Sequence, residues 1–125
     1  MATEIVYKEL SYKIIGLCLE VHNILGRGHS EVVYKDALQV ELRTNEMNFN
    51  REANFRITYK GVSLLHHYFA DFVIEDKIIL EVKAIESLTD AHAKQTLNYL
   101  AASKLKLGIL VNFGENTLTY RRVVL

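Results

Sequence analysis

The stretch "FADFVIEDKIILEVKA", residues 69–84, resembles two buried strands joined by a charged turn, and three charged residues lie within its apolar parts: Asp71, Glu81 and Lys83. An unpaired charge in a protein core is strongly destabilising, so such residues need partners or a metal ion. Side chains alternate between the two faces of a strand, which puts Glu81 and Lys83 on the same face. A hairpin centred on Asp76 would place Asp71 opposite Glu81. The sequence therefore predicts two facing carboxylates with a lysine beside them.

Neighbouring carboxylates repel each other, and a divalent cation relieves that repulsion. Hard oxygen ligands on a rigid pair of strands suit Mg²⁺ or Mn²⁺, which also accept phosphate oxygens. Lys83 would then orient or deprotonate the attacking water, or stabilise negative charge on a phosphate in the transition state. The alternative is a structural salt bridge of Lys83 with Glu81 or Asp71 on an exposed face of the sheet. The strands alone leave both interpretations open.

Gln95 and Tyr99 are four residues apart and share one face of a predicted helix, with His92 on the same face. This helix directly follows the strand that carries Glu81 and Lys83, so its first turns would lie over the acids. Taken in isolation, the two residues would be a surface amide and a half-buried ring.

The apolar pattern predicts a mixed sheet flanked by helices, in the order ααβββαββ. Glu75, Asp76 and Lys77 form the turn between the second and third strands, and Ser87 with Asp90 is the expected capping box of the third helix. The step from the third strand through that helix to the fourth strand predicts a parallel pair. The predicted elements are helices over about 5–25 and, after an N-cap at Ser30, to about 43, strands over 55–61, 64–75 and 77–85, a helix over 89–103, and strands over 107–114 and 117–125.

Composition indicates one globular domain over residues 1–125. Fifteen basic residues balance fifteen acidic ones, which counts against strong non-specific binding to nucleic acid but leaves room for a local patch. Cys18 is the only cysteine, so the chain has no internal disulfide and no cysteine cluster for zinc; we expect a buried, reduced thiol. The N-terminus lacks the pattern of a signal peptide, and no apolar run is long enough to span a membrane. A cytoplasmic location is the expectation.

Two motifs carry a family resemblance. Asp71, Glu81-Val82-Lys83 and Gln95-x-x-x-Tyr99, in this order, resemble the exonuclease-like branch of the PD-(D/E)xK nuclease superfamily. The segment Gly28-His29-Ser30-Glu31-Val32-Val33-Tyr34 resembles the GxxExxY family, a set of small proteins assigned to that superfamily. The resemblance runs from about residue 5 to the C-terminus. Ala70 stands where the motif has its proline.

The resemblance implies a restriction-endonuclease-like α/β fold and a metal-dependent nuclease acting on nucleic acid, with DNA favoured over RNA. A homodimer or another protein partner would help so small a domain enclose a duplex. The alternative is a non-cleaving module that binds nucleic acid or protein on the same fold. The implied roles are metal ligands for Asp71, Glu81, the carbonyl of Val82 and Glu31, a catalytic lysine in Lys83, and support of the site or of a phosphate by Gln95 and Tyr99.

Other residues have structural explanations. Glu31 alone would be an acid that favours the positive end of its helix. We expect Tyr34 to pack in the core with its hydroxyl hydrogen-bonded. His66 and His67 point to opposite sides of a strand and so cannot chelate one metal ion together.

Overall fold

The computed structural model describes residues 5–125 as a single α/β domain with a five-stranded sheet and three helices. The order ααβββαββ is confirmed. No helix within these residues is long and apolar enough to cross a membrane. The elements are α1 (Lys8–Leu25), α2 (Glu31–Thr44), β1 (Phe49–Tyr59), β2 (Val62–Ile74), β3 (Ile78–Lys83), α3 (Asp90–Ser103), β4 (Leu107–Asn112) and β5 (Thr119–Val124).

The strands follow chain order across the sheet, β1-β2-β3-β4-β5. All neighbours are antiparallel except β3 and β4, which are parallel and joined through α3, as predicted. The turn at Glu75 and Asp76, both with φ of 54°, pairs Ile74 with Ile78 and sets the register of β2 on β3. This register is the one that the hairpin centred on Asp76 requires.

The helices form two layers. Ile78, Leu80 and Val82 of β3 pack with buried residues of α1 and α2, and Cys18 lies in this cluster as a free, fully buried thiol. Ile79 faces the other way, into a smaller cluster with Tyr99 and Leu100 of α3. Strand β3 is therefore covered on both faces, which explains its almost uninterrupted apolar sequence.

Strands β1 and β2 extend well beyond the rest of the sheet. The pairing of β2 with β3 covers only Phe72 to Ile74, whereas the pairing of β2 with β1 continues to the turn at Gly61. We call residues 53–70 the hairpin arm. Glu52, at its base, has a left-handed φ of 54°. This backbone angle accompanies a kink at the base of the arm. On one side of the kink Phe72 packs with the α1/α2 layer, and on the other side Ala70 packs with the α3 layer.

Most predicted boundaries shift by one or two residues, and three further differences have identifiable causes. Helix α1 begins at Lys8 rather than near Ile5, because Tyr7 takes a left-handed φ of 49°. Strand β1 begins at Phe49 rather than Phe55; its early residues are polar on the open edge of the sheet and hide the alternation. The capping box predicted for Ser87 and Asp90 is wrong. Thr89 is the N-cap of α3, and its partner at the third helical position is His92.

Candidate active site

Asp71 and Glu81 lie where the pairing between β2 and β3 stops. The last pair of residues joined through the backbone is Phe72 with Leu80. Beyond it, the hydrogen bonds between the two strands run from backbone N–H groups to side-chain carboxylates. The N–H of Asp71 donates to Oε1 of Glu81 at 3.1 Å. The N–H of Val82 donates to Oδ2 of Asp71 at 2.8 Å. Each carboxylate is thus held by the backbone of the opposite strand, and the two acids lie side by side as the hairpin predicted.

Burial dominates the electrostatics of Glu81, whose exposed fraction is 3%. Burial, followed by the negative charge of Asp71, raises the pKa of Glu81 to about 9, although the hydrogen bond from the Asp71 N–H and the charge of Lys83 act in the opposite direction. At neutral pH Glu81 therefore holds its proton. The pair of acids carries one negative charge instead of two.

Lys35 is a member of the site that the sequence analysis missed. Its Nζ lies 3.1 Å from Oδ1 of Asp71 and 2.6 Å from Oε1 of Glu52. Burial alone would lower the pKa of Lys35, but hydrogen bonds to Glu52 and Asp71 raise it above its usual value, so the ammonium stays charged. The sequence did contain one indication of this role: Lys35 lies one helical turn after Glu31, a predicted site residue, and so shares its face of α2.

Helix α3 brings Gln95 and Tyr99 to the same place. Nζ of Lys83 donates to Oε1 of Gln95 at 3.4 Å, a long hydrogen bond. Burial, followed by the charges of Glu81 and Asp71, raises the pKa of Tyr99 to about 12, against the opposing effect of a hydrogen bond with Gln95. The structure therefore gathers five predicted residues around one point. Within residues 5–125, Lys83 forms no ion pair with either acid; the cation on Asp71 is Lys35.

Glu31 and Val82 are placed less directly. The Val82 side chain is fully buried in the core, and its N–H is bonded to Asp71. Glu31 is half-buried at the start of α2, on the helix face from which Lys35 reaches Asp71. Among the described residues, no three His, Cys, Asp or Glu side chains form a cluster able to hold a metal ion. The ligand role of Glu31 stays a prediction.

The loop before α2 is closed by Tyr34, which is fully buried as expected. Its hydroxyl donates to the carbonyl of Gly26 at 2.6 Å and accepts from the N–H of His29 at 3.2 Å. Its ring stacks on Phe113 with centroids 4.5 Å apart. Tyr34 therefore fixes where α2 begins, and with it the positions of Glu31 and Lys35.

Asn112, also missed, fixes the segment that follows β3. It is fully buried, and its Oδ1 accepts from the N–H groups of Ile85 and Gly114, both at 3.0 Å. Its Nδ2 donates to the carbonyl of Ile85 at 2.9 Å. A Cβ at Gly114 would lie 2.2 Å from that carbonyl, so only glycine fits there. The sequence indicated Asn112 only as a polar residue at the end of an apolar strand. In the sheet it pairs in parallel register with Lys83.

Comparison with known proteins agrees with this architecture. The crystal structure of SSO0001 is similar in fold, with a TM-score of 0.62 and 23% sequence identity. The match covers 75% of this chain but spans only 50% of that one. No curated protein matches the sequence significantly. The sequence matches the PD-(D/E)XK nuclease superfamily over residues 8–123. Because that match covers nearly the whole chain and the α/β fold is consistent with it, the protein belongs to the PD-(D/E)XK nuclease superfamily.

Proposed function

We propose that this protein is a metal-dependent nuclease of the GxxExxY group that hydrolyses phosphodiester bonds in nucleic acid, with DNA as the favoured substrate. The observation that carries the proposal is the pair Asp71 and Glu81, cross-bonded at the point where two strands separate. Residues 1–125 would act as one nuclease domain. Tyr34 supports the GxxExxY assignment, since its hydroxyl bonds to Gly26 and His29 and fixes the start of α2, the helix from which Lys35 reaches Asp71. Gly28 lies in the same loop with a left-handed φ of 110°.

The donor set fits a hard divalent cation, and PD-(D/E)XK nucleases generally use divalent metal ions. Two adjacent carboxylates, one kept protonated by burial and by its neighbour, form a site whose full ionisation needs added positive charge. Asp71 and Glu81 would hold Mg²⁺ or Mn²⁺, with the carbonyl of Val82 and the carboxylate of Glu31 as further ligands. When bound, the cation would make water more acidic and neutralise charge on the phosphate.

The remaining residues would handle the phosphate and the water. The ammonium of Lys83, steadied by Gln95, would orient the attacking water or donate to a phosphate oxygen as negative charge builds up. The hydroxyl of Tyr99 keeps its proton at neutral pH, because its pKa is about 12, and so remains a hydrogen-bond donor. Lys35 would hold Asp71 in place from the α2 side.

The test of metal binding is calorimetric titration with Mn²⁺. Asp71→Asn should abolish most of the binding, because it removes the charged ligand. Asp36→Asn is the matched control, since Asp36 is an exposed acid of α2 that pairs with Arg51. Equal Mn²⁺ affinity in Asp71→Asn and wild type would contradict the assignment of the metal site.

The test of catalysis uses linear and circular DNA, single- and double-stranded, and RNA, each with Mg²⁺ or Mn²⁺. Lys83→Ala should reduce cleavage by about 10²- to 10⁴-fold while leaving Mn²⁺ binding nearly intact. Lys83→Arg should not restore activity, because a guanidinium cannot act as a base. Lys13→Ala, which removes an exposed lysine from α1, should cut like wild type.

A second candidate function is a non-cleaving binding module on the nuclease fold. Lys35 favours it, because this lysine already satisfies Asp71 while Glu81 stays protonated, so the acids are accommodated without a metal ion. If wild type cuts no substrate with either ion, and Lys83→Ala binds nucleic acid as well as wild type does, this second function replaces the first.

A further inference from the structure

The hairpin arm and α3 enclose a cleft beside the candidate active site. Within the described residues, β2 has no partner on its β3 side from Val62 to Asp71, so the arm leaves the sheet at the acids. The space between the arm and α3 is about 380 Å³. The residues of this aromatic cleft used below are His66, Tyr68, Phe69, Gln95, Asn98 and Tyr99. Two of them, Gln95 and Tyr99, also belong to the candidate active site.

Rings form much of the cleft surface. Tyr68 and Tyr99 lie with centroids 5.4 Å apart, and His66 meets Tyr68 edge-on at 5.2 Å. Phe69 lies on the opposite face of β2 from Tyr68, beside His67, and lines the same space from the open edge of the strand. It is 50% exposed, although aromatic residues are usually buried in a domain core. Nucleobases stack on exposed aromatic rings without needing a particular sequence. The exposed rings therefore favour a flat, aromatic ligand.

The elements around the cleft are positively charged, although the chain as a whole is neutral. The arm contains no aspartate or glutamate. Helix α3 has Lys94 and, apart from Asp90, no acid; Asp90 is paired with Arg121. The arm contains Arg56 and Lys60, together with the histidines His66 and His67. The positive charges of Arg56, Lys60 and Lys94 would attract a phosphate backbone.

We propose that the aromatic cleft binds unpaired bases of a single-stranded segment of DNA or RNA next to the phosphate that is cut. The inference rests on the proposed function and narrows its substrate class to single strands or frayed ends. Bases in a duplex are stacked on each other and cannot lie on Tyr68 or Phe69, whereas unpaired bases can. Asn98 supplies an amide in the same cleft that can bond to base edges.

The open edge of β2 would also accept a strand from a second copy of this chain. Charge argues against that occupant. Two arms without any acidic residue would repel each other, whereas a polyanion is attracted to the arm. Single-stranded nucleic acid is therefore the better match.

Binding is measured by fluorescence anisotropy in EDTA, so that cleavage does not interfere, with labelled oligothymidylate, oligouridylate, a duplex of mixed sequence and an abasic strand. Phe69→Leu and Tyr68→Leu keep the apolar volume but remove the ring. Each should weaken single-strand binding by roughly 5- to 150-fold, the range expected for one stacked base. Tyr120→Leu is the matched control: Tyr120 is 45% exposed on β5, at the far edge of the sheet, and should change nothing. The abasic strand should bind wild type weakly and the ring variants equally weakly.

Comparing the DNA and RNA strands identifies the sugar that the cleft accepts. If Phe69→Leu keeps its single-strand affinity, or if the duplex binds wild type as tightly as the single strand does, the cleft proposal is overturned, even when wild type proves to be a nuclease. If binding depends on Phe69 but wild type cuts nothing with Mg²⁺ or Mn²⁺, the nuclease proposal fails and the cleft remains a single-strand site. A dimer that Phe69→Leu dissociates, with no oligonucleotide bound, would overturn the cleft proposal and assign the open edge to a second copy.

Discussion

Glu81→Gln should make the metal-free protein more stable at neutral and alkaline pH. The buried Glu81 is held in its protonated form, with a pKa of about 9 instead of its usual 4.5. Glutamine has nearly the same shape as a protonated glutamate. Its oxygen can accept the bond from the N–H of Asp71, and its amide N–H can donate to the Asp71 carboxylate. The substitution therefore keeps the contacts and removes the need to hold a proton.

The size of the effect follows from proton linkage. Below the pKa of the unfolded chain, both states carry the proton, and Glu81 gives no pH dependence. Between 4.5 and about 9 the folded state keeps the proton and the unfolded state has lost it, so the free energy of unfolding falls as pH rises. The slope is about 1.4 kcal/mol per pH unit, which amounts to ~4 kcal/mol between roughly pH 5 and pH 8. That is a large part of the ~5–15 kcal/mol typical of a domain.

The assay is urea denaturation in EDTA at a series of pH values across this window, for wild type and Glu81→Gln. The difference between the two free energies of unfolding should widen steadily with pH, because every other titrating group is common to both proteins. In a thermal scan near the alkaline end, Glu81→Gln should melt on the order of 10 °C higher. Glu86→Gln, which changes an exposed glutamate just after β3, should follow the wild-type curve at every pH.

A constant difference between wild type and Glu81→Gln across this pH range would refute the reasoning. Glu81 would then be ionised in the folded protein, and the protonated pair with Asp71 would not exist. A loss of stability in Glu81→Gln at high pH would go further and show that the charge of Glu81 stabilises the fold, which only a direct cationic partner could provide.

Three other perturbations test the surroundings of the site. Lys35→Met should destabilise the metal-free fold by about 1–3 kcal/mol, because it leaves Asp71 with no cation, and Mn²⁺ should restore more stability to it than to wild type. Asn112→Ala should cost ~2–4 kcal/mol in urea denaturation, because a fully buried amide loses its bonds to the backbone; Asn116→Ala, on the exposed turn, should be neutral. Cys18 should resist alkylation in the native protein, since burial raises its pKa to about 12, and should react as soon as urea unfolds the chain; rapid native labelling would contradict this.

The acid pair was predictable because its geometry is local. The turn at Glu75 and Asp76 sets the register of the two strands, and register alone puts Asp71 opposite Glu81. The position of α3 over the pair follows from the parallel connection between β3 and β4. Short-range rules were sufficient for both, which is why five predicted residues lie together.

Lys35 and Glu52 were not predictable in this way. Their contact with each other and with Asp71 joins α2 to the kinked base of β1, and it depends on how far the helix is rotated about its axis. The spacing places Lys35 on the same face of α2 as Glu31, but it does not show that this face is turned toward Asp71. The left-handed φ of Glu52 was equally hidden, because nothing about a glutamate in a strand favours it. Asn112 was partly predictable. A polar residue at the end of an apolar strand is visible in the sequence, but its hydrogen-bond partners are not.

The separation of the hairpin arm from the sheet makes its length independent of the acid pair. Strands β1 and β2 pair only with each other beyond the acids, so residues added or removed near Gly61 leave the register of β2 on β3 unchanged. Phe55 pairs with Tyr68 between the acids and the turn, so equal insertions on the two strands keep both side chains turned toward α3. Lengthening the arm would extend the cleft outward while the carboxylates stay in place, so the reach of the protein along a bound strand is adjustable by insertion at a single turn.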